Sequence, residues 1–226
     1  MESIKIAIVI PAFNEEKSIG NVILELRKLQ VDNVEIIVVN DFSKDKTSEV
    51  SKESGAHVVN LHENVGYAKA IEKGLSYAST IDGVKYLLTM DADGQHDPRS
   101  VLSIIELARE TRPEVIAGVR SKNARISEWC YSKYFKYKFA VEDPLCGLKL
   151  YSVDFYNRHM RFETYDSIGT ELLTKALMQG VNVASIPVII RKRNDDIPRF
   201  GHGLSANYRI LKSLLLTMCK VELKRL

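Results

Sequence analysis

Five short apolar runs, separated by segments with helical spacing, fill the first half of the chain. The runs lie at residues 4–10, 34–39, 56–61, 84–90 and 115–119. Helices are predicted at 19–29, where apolar residues recur at helical spacing, and at 44–54 and 67–78. Pro98 suits the first position of a further helix. Strands that are almost continuously apolar and alternate with helices are typical of a parallel sheet covered on both faces. The pattern therefore predicts an α/β fold.

The second half is less regular. Helical patterns cover residues 127–139, 167–179 and 204–226, and strands are predicted at 148–152 and 181–190. The polar segment 194–203 contains Pro198, Gly201 and Gly203 and is predicted to be a loop. We find no repeat, low-complexity tract or linker, so the 226 residues are expected to form one domain.

Polar side chains cluster where three of the predicted strands end. The first strand leads into PAFNEE, the second into NDFSKD and the fourth into DADGQHD. In open α/β sheets, ligands bind outside the carboxyl ends of the strands. Three acidic loops at one sheet edge repel each other unless a cation or hydrogen-bond donors satisfy them. The sequence therefore predicts a site there.

The pair Asp91 and Asp93 is the strongest single signal. Two carboxylates one residue apart after a buried strand reach the same small volume, and Gly94 allows a tight turn behind them. Such a pair suits Mg²⁺ or Mn²⁺ shared with substrate phosphate oxygens. An isolated Asp-x-Asp is often only a surface turn or helix cap, but the neighbouring acidic strand ends favour a metal site.

The sequence lacks the motifs of dinucleotide-binding, P-loop and α/β-hydrolase sites. No strand is followed by Gly-x-Gly-x-x-Gly, and no Gly-Lys-Ser/Thr loop or Gly-x-Ser-x-Gly elbow occurs. The three cysteines form no Cys-x-x-Cys pair, which indicates a reducing, cytoplasmic setting and no zinc site. No apolar run approaches the ~20 residues that cross a bilayer.

Charge is distributed unevenly along the chain. Residues 1–119 hold 13 basic and 19 acidic side chains, whereas residues 120–226 hold 19 basic and 10 acidic ones. This asymmetry is either scatter over solvated surfaces or a sign that the second half faces an anion or an anionic membrane.

Six segments together resemble the family 2 glycosyltransferases of GT-A fold. They are IVIPAFNEE, EIIVVNDFSKDKT, NVGYAKAIEKGL, YLLTMDADGQHDP, DPLCGLKLYS and RFGHGLS, which occur in the family's order between about Lys5 and Ser205. The likeness is to the dolichyl-phosphate mannose synthase and polyprenyl-phosphate glycosyltransferase branch. It implies a Rossmann-like, mostly parallel sheet with helices on both faces, divided into a donor half (1–119), an acceptor side (120–203) and a C-terminal amphipathic helix (204–226).

The resemblance also implies roles for particular residues. Pro11, Phe13 and Glu15 border the nucleoside of a nucleotide-sugar donor, and Asp41 contacts its base or ribose. Asp91 approaches the ribose and the metal, Asp93 is the direct metal ligand, and Gln95 helps to hold metal or phosphate. Arg120 and Arg199 contact phosphates of the donor or of a lipid acceptor. The implied reaction is a single in-line displacement with inversion by a metal-dependent hexosyltransferase.

The need for a catalytic base depends on the acceptor. A sugar hydroxyl must lose its proton to a carboxylate, whereas a phosphate is already anionic. Asp143, just before Pro144, and Glu171, at the start of a predicted helix, are the candidates. Asp143 is otherwise a turn residue, and Glu171 an acid favoured by the helix dipole. We favour Asp143.

Three functions stay open at this point. The first is transfer to a lipid phosphate, the second is transfer to a sugar or glycan hydroxyl in surface-polysaccharide or glycolipid assembly, and the third is nucleotide-sugar binding without transfer. No nucleic-acid partner is predicted. The last helix either lies on an anionic membrane or packs on the domain or on a second subunit in a homodimer.

Overall fold

A seven-stranded sheet organises the molecule. The computed structural model describes residues 4–121, 125–192 and 203–224. The strands are β1 (Lys5–Ala12), β2 (Val34–Asn40), β3 (His57–Asn60), β4 (Val84–Thr89), β5 (Val115–Arg120), β6 (Lys149–Ser152) and β7 (Val183–Val188). Their spatial order is β3-β2-β1-β4-β6-β5-β7, and every neighbouring pair is parallel except the two pairs that include β6. The predicted mostly parallel α/β sheet is confirmed.

Eight helices surround the sheet in the described part of the chain. They are α1 (Ile19–Lys28), α2 (Thr47–Glu53), α3 (Tyr67–Ser79), α4 (Pro98–Thr111), α5 (Ile126–Phe139), α6 (Val153–His159), α7 (Glu171–Met178) and α8 (Gly203–Glu222). One face of the sheet packs against α1, α2 and α4, and the other against α3, α6 and α7. Helices α5 and α8 pack together and form a third apolar cluster. Within the ranges described, no helix is long and apolar enough to cross a membrane.

Two helices differ from the prediction. Helix α7 begins at Glu171 rather than at residue 167, because Ile168 and Gly169 adopt positive φ values of 55° and 73° that no α-helix contains. The short helix α6 is not predicted by the apolar pattern. It follows β6 directly and is capped by Ser152, whose Oγ accepts the Phe155 N–H at 3.1 Å.

The loop after β4 is tied to the segment that follows β7. The Arg191 N–H donates to the Gln95 carbonyl at 2.8 Å, and the Asp97 N–H donates to the Ile189 carbonyl at 3.1 Å. Asp97 is buried and caps α4 by accepting the Arg99 N–H. Its carboxylate also accepts hydrogen bonds from the side chains of Arg99 and Arg191. Residues that are far apart in sequence, 94 positions in the case of Asp97 and Arg191, therefore fix this loop.

Replacing Asp97 with alanine is expected to lower the free energy of unfolding by about 2 kcal/mol, because a helix cap and charge-assisted bonds are lost together. The Arg99 side chain, with help from Arg191, holds the pKa of Asp97 well below its ordinary value. This stabilisation is present above the unfolded-state pKa of about 3.9 and is lost as pH falls through the folded-state pKa. Urea titrations should therefore show the two proteins converging below about pH 4. A gap that stays constant with pH would contradict the ionic origin.

Candidate active site

A cavity of about 510 Å³ opens at the carboxyl ends of β1, β2 and β4. Its size is typical of small-molecule sites. It is lined by eight of the residues that the sequence proposes for the site, namely Pro11, Phe13, Glu15, Asp41, Asp91, Asp93, Gln95 and Arg120. The fold brings together side chains that are far apart in sequence, as expected for strand ends that meet at one sheet edge. That they bind a donor stays a prediction.

Asp41 holds the turn in front of α3. Its two carboxylate oxygens accept the N–H groups of Val65 and Gly66, at 2.8 Å and 2.9 Å. Gly66 has a φ of 84°, which suits glycine at this position. A carboxylate has about four lone-pair sites, so these bonds leave acceptor capacity for a ligand. Asp41 therefore links the loop after β2 to the loop before α3, and both line the cavity.

The neighbours of Asp41 have structural roles. Asn40 donates from Nδ2 to Asn60 Oδ1 at 2.8 Å and accepts the Ser43 N–H at 3.1 Å. An amide makes both bonds, whereas a carboxylate has no donor for Asn60. Phe42 does not line the cavity. Its ring lies under Lys44, with Nζ 3.5 Å from the ring centroid.

Asp91 lies in a dense set of contacts. The Tyr67 hydroxyl donates to Oδ1 at 2.8 Å, and His96 Nε2 lies 3.8 Å from Oδ2. The other ring nitrogen of His96 accepts the Asp91 N–H at 3.4 Å. These contacts fix the carboxylate from two sides. The sequence pattern does not predict them, because Tyr67 belongs to α3 and the orientation of His96 depends on the loop.

Gly147 makes room for the Asp91 carboxylate. A Cβ atom built on Gly147 would lie 2.5 Å from Oδ2 and 2.7 Å from Oδ1 of Asp91, closer than real Cβ contacts. Gly147 directly precedes Leu148 and β6, which runs antiparallel to β4 with Lys149 opposite Thr89. The reversed direction of β6 therefore brings the start of this strand to the edge where β4 ends.

The residues around Asp93 fit a divalent cation that is bound partly by protein carboxylates and partly by substrate oxygens. Asp93 Oδ1 accepts the Gln95 N–H at 3.0 Å across Gly94, whose φ is 75°. Within residues 4–121, 125–192 and 203–224, no cluster of three or more His, Cys, Asp or Glu side chains could hold a metal alone. Mg²⁺ is commonly held by one or two carboxylates together with substrate phosphates. Asp91 and Asp93 match that donor set.

Arg120 is held at the cavity wall by buried acids. Asp143 accepts from the Arg120 backbone N–H at 3.0 Å, from Nε at 2.7 Å and from Nη2 at 2.9 Å. Glu128 lies 3.5 Å from Arg120 and 2.9 Å from Arg125. Arg125, which the sequence did not single out, also lines the cavity. Two guanidinium groups therefore lie on one side of the cavity, with their charges balanced by Asp143 and Glu128.

Neither of the two acids predicted as bases lines the cavity. Both oxygens of Asp143 are bonded to Arg120, and 2% of the residue is exposed. Glu171 is fully buried and accepts from the Thr164 hydroxyl at 2.7 Å, while Lys175 Nζ lies 2.8 Å away. The structure places both carboxylates in internal contacts, and their role as bases stays a prediction.

A buried lysine completes the cavity wall. Lys149 Nζ donates to the Cys146 carbonyl at 2.6 Å, and the side chain lines the cavity. Burial lowers the pKa of Lys149, and burial raises the pKa of the Cys146 thiol to about 11. A lysine inside an apolar strand was the signal that could have marked this position. Arg199, which the sequence proposes for the site, lies outside the described residues.

Comparison with known sequences gives a consistent assignment. The profile of Glycosyl transferase family 2 matches residues 7–169. An uncharacterised protein of Methanocaldococcus jannaschii is 32% identical over 176 residues, which are 68% of this chain and 74% of that protein. The UDP-N-acetylglucosamine–dolichyl-phosphate N-acetylglucosaminyltransferase of Methanococcus voltae is 26% identical over 249 residues, covering 96% of this chain and 97% of that enzyme.

Solved structures agree with the fold. Glucosyl-3-phosphoglycerate synthase from Mycobacterium tuberculosis, in complex with Mn²⁺, uridine diphosphate and phosphoglyceric acid, is similar with a TM-score of 0.75. The two chains are 19% identical, and the match covers 96% of this chain and 78% of that one. At this identity the similarity shows the fold alone, which is the predicted GT-A fold.

Proposed function

Because the chain belongs to glycosyltransferase family 2, we propose that it transfers a sugar, with inversion, from a nucleoside-diphosphate sugar to the phosphate of a polyprenyl phosphate. The observation that carries the choice of acceptor is the pair Arg120 and Arg125 on the cavity wall, while the internal contacts of Asp143 and Glu171 leave neither acid in the cavity lining. Guanidinium N–H groups bind phosphate oxygens well, and a phosphate nucleophile needs no base. The relative from Methanococcus voltae, by its name, also acts on a dolichyl phosphate.

Each part of the cavity has a place in this proposal. Residues 1–119 hold the donor, with its nucleoside near Phe13 and Asp41, and residues 120–203 hold the acceptor. Asp91 and Asp93 would hold Mg²⁺ or Mn²⁺, which as a Lewis acid offsets the charge of the leaving diphosphate. Arg120 and Arg125 bind the acceptor phosphate and orient one oxygen toward the anomeric carbon.

The bonds change in one step. A lone pair of the acceptor phosphate oxygen forms the new bond to the anomeric carbon, while the bond from that carbon to the donor diphosphate breaks. The electron pair of the broken bond leaves with the diphosphate. No proton is removed from the acceptor, so neither Asp143 nor Glu171 has to act as a base. Preorganised hydrogen-bond donors of Arg120 and Arg125 at the cavity wall are then the main contribution of the protein.

The proposal is tested with a panel of UDP-, GDP-, dTDP- and CMP-sugars. A donor that fits should raise the melting temperature only when Mn²⁺ or Mg²⁺ is present, because a ligand that binds the folded state stabilises it. The same donor should then label a polyprenyl phosphate in detergent. Labelling of a glycan hydroxyl instead would favour the second function, and donor binding without transfer or hydrolysis would favour the non-catalytic binder.

Replacing Asp143 with asparagine separates a base from a residue that positions Arg120. If Asp143 positions Arg120, the KM for the acceptor should rise about tenfold, since a charge-assisted contact contributes about 1.5 kcal/mol. At saturating acceptor, kcat should change little and the pH profile should keep its shape. Steady-state kinetics between pH 5 and 9 measure both values. Glu142→Gln is the matched control, because the exposed Glu142 pairs with Lys136. A collapse of kcat together with loss of the acidic limb would identify Asp143 as a base.

A further inference from the structure

Helix α8 exposes leucines and buries hydroxyl groups. Its buried positions include Ala206, Ser213 and Thr217, alongside Ile210, Leu214 and Val221. Its exposed positions include Leu204, Tyr208 and Leu215, which are 89%, 70% and 63% exposed, and also Leu211 and Leu216. Leu223, directly after the helix, is exposed too. A helix that merely covers a domain shows the opposite arrangement, with its large apolar side chains inward.

The orientation of α8 is fixed by a buried hydroxyl network. The Tyr131 hydroxyl of α5 lies 2.9 Å from Thr217 Oγ1, 3.4 Å from Ser213 Oγ and 2.9 Å from Thr170 Oγ1. Tyr165 also donates to Thr217 at 3.1 Å. If α8 rotated to bury its leucines, Tyr131 would lose Ser213 and Thr217, and Tyr165 would lose Thr217, at the expense of several hydrogen bonds in the core. The outward leucines therefore belong to the native packing.

Helix α5 runs beside α8 in the same direction and also exposes apolar side chains. Three contacts set the alignment. Ser127 donates to Asn207 at 2.6 Å, Tyr131 meets Ser213 and Thr217, and Lys138 donates to Glu222 at 3.0 Å. Exposed apolar residues of α5 therefore lie level with those of α8. They are Ile126, Trp129 and Tyr137, at 74%, 52% and 90% exposure.

We call the exposed apolar residues of these two helices the α5–α8 face. Its residues are Ile126, Trp129, Tyr137, Leu204, Tyr208, Leu211, Leu215, Leu216 and Leu223. The helices that carry this face are strongly basic. Seven lysines and arginines lie at positions 126–139 and 204–224, against Glu128, which is buried, and Glu222. The Lys133 ammonium lies 5.5 Å from the centroid of the Trp129 ring.

The two helices that carry the α5–α8 face also contribute to the cavity wall. Arg125 and Glu128, at the start of α5, line the cavity together with Ile210 of α8. Leu145 and Ile168 add to the apolar lining on this side. An acceptor with a phosphate and a hydrocarbon chain would therefore meet the two arginines and apolar side chains in the same region.

We propose that the α5–α8 face docks on the surface of an anionic bilayer, from which the acceptor phosphate enters the cavity. This inference rests on the function proposed above. Leucine and aromatic side chains flanked by lysine and arginine are the composition of helices that lie in the membrane interface. Basic residues near the surface add attraction to anionic lipids. Charge complementarity therefore favours an anionic lipid surface as the partner of this face over a second, equally basic copy of this chain.

Vesicle flotation tests the docking directly. The full chain should float with vesicles of phosphatidylcholine and phosphatidylglycerol at low salt, and less with phosphatidylcholine alone or at high salt. The double variant Leu204→Asp and Leu215→Asp should weaken the partition coefficient by about tenfold or more. Leu24→Asp is the matched control, because Leu24 is a 45% exposed leucine on α1, which packs on the opposite face of the sheet. The control should float like the parent.

Three results would overturn the docking. They are no flotation on anionic vesicles at low salt, equal flotation of the double variant, and a dimer in light scattering that the double variant abolishes while neither protein binds vesicles. Transfer in detergent reports the proposed function separately. A double variant that transfers in detergent but loses vesicle binding supports both proposals. Flotation without any transfer would instead remove the proposed function and leave the docking in place.

Discussion

Asp93→Asn is expected to lower kcat/KM for sugar transfer by about a thousandfold, because a metal ligand contributes several kcal/mol of charge stabilisation in the transition state. The amide keeps an oxygen that can accept the Gln95 N–H, so the turn around Gly94 should persist. The variant should therefore melt at the parent temperature in the absence of ligands. It should also lose the metal-dependent melting shift with the nucleotide-sugar donor.

The measurement is initial-rate transfer with Mn²⁺ varied, together with thermal melting. Asp82→Asn is the matched control, since Asp82 is an exposed acid just before β4, at the other end of that strand from Asp93. It should retain full activity. If Asp93→Asn transferred sugar within a few-fold of the parent rate, then the metal role of Asp93 would be wrong, and Asp91 or the phosphate contacts would have to carry the catalysis.

Gly147→Ala is expected to lower kcat/KM about a hundredfold, which is the effect that a misplacement of about 1 Å can have on a catalytic group. The new methyl group would occupy the space of the Asp91 carboxylate, whose carbon and two oxygens all lie within 2.8 Å of the position that this Cβ would take. Asp91 would have to move away from Tyr67 and His96, the two side chains that hold it. Donor affinity should fall with activity, because Asp91 is proposed to approach both ribose and metal.

Gly74→Ala is the control for the steric effect of an added methyl group away from Asp91. A Cβ on Gly74 would lie 2.4 Å from Val9 and 2.6 Å from Val39, in the packing of α3 on the sheet. It should lower stability by about 1–3 kcal/mol through overpacking. Donor binding by the folded protein should be unchanged. Isothermal titration with the donor and thermal melting separate the two effects. If Gly147→Ala lost stability but kept donor affinity, the contact with Asp91 would be structural only.

Much of the fold followed from local patterns. The apolar runs of β1, β2 and β4 are buried on both sides, so periodicity and the polar residues after each strand were enough to place them. The position of Glu15 and Asp93 in the cavity was predictable in the same way, because parallel strands that precede such residues end at one edge of the sheet. The start of α7 was mislocated because Ile168 takes a positive φ, which a branched side chain rarely does and which no composition signal announces.

The partners of charged residues could not be predicted in the same way. Asp143 is 23 residues from Arg120, and only the pairing of β5 with β6 brings them together. Lys149 lines the cavity because β6 lies between β4 and β5, which is a property of the whole sheet, and Arg125 reaches the cavity from the start of α5. Sequence reasoning therefore located the acids at the strand ends and Arg120, and missed Arg125 and Lys149.

The reversed direction of β6 has a consequence for how such a chain diversifies. The segment 121–146 leaves the sheet at the end of β5 and returns to β6 at the same edge, so its two ends lie at the cavity side. Asp91 and Asp93 lie in the half of the chain before this segment, whereas Arg125 and Leu145 of the cavity wall lie within it. Substitutions in the segment therefore alter the proposed acceptor side of the cavity without replacing any residue of the proposed donor side.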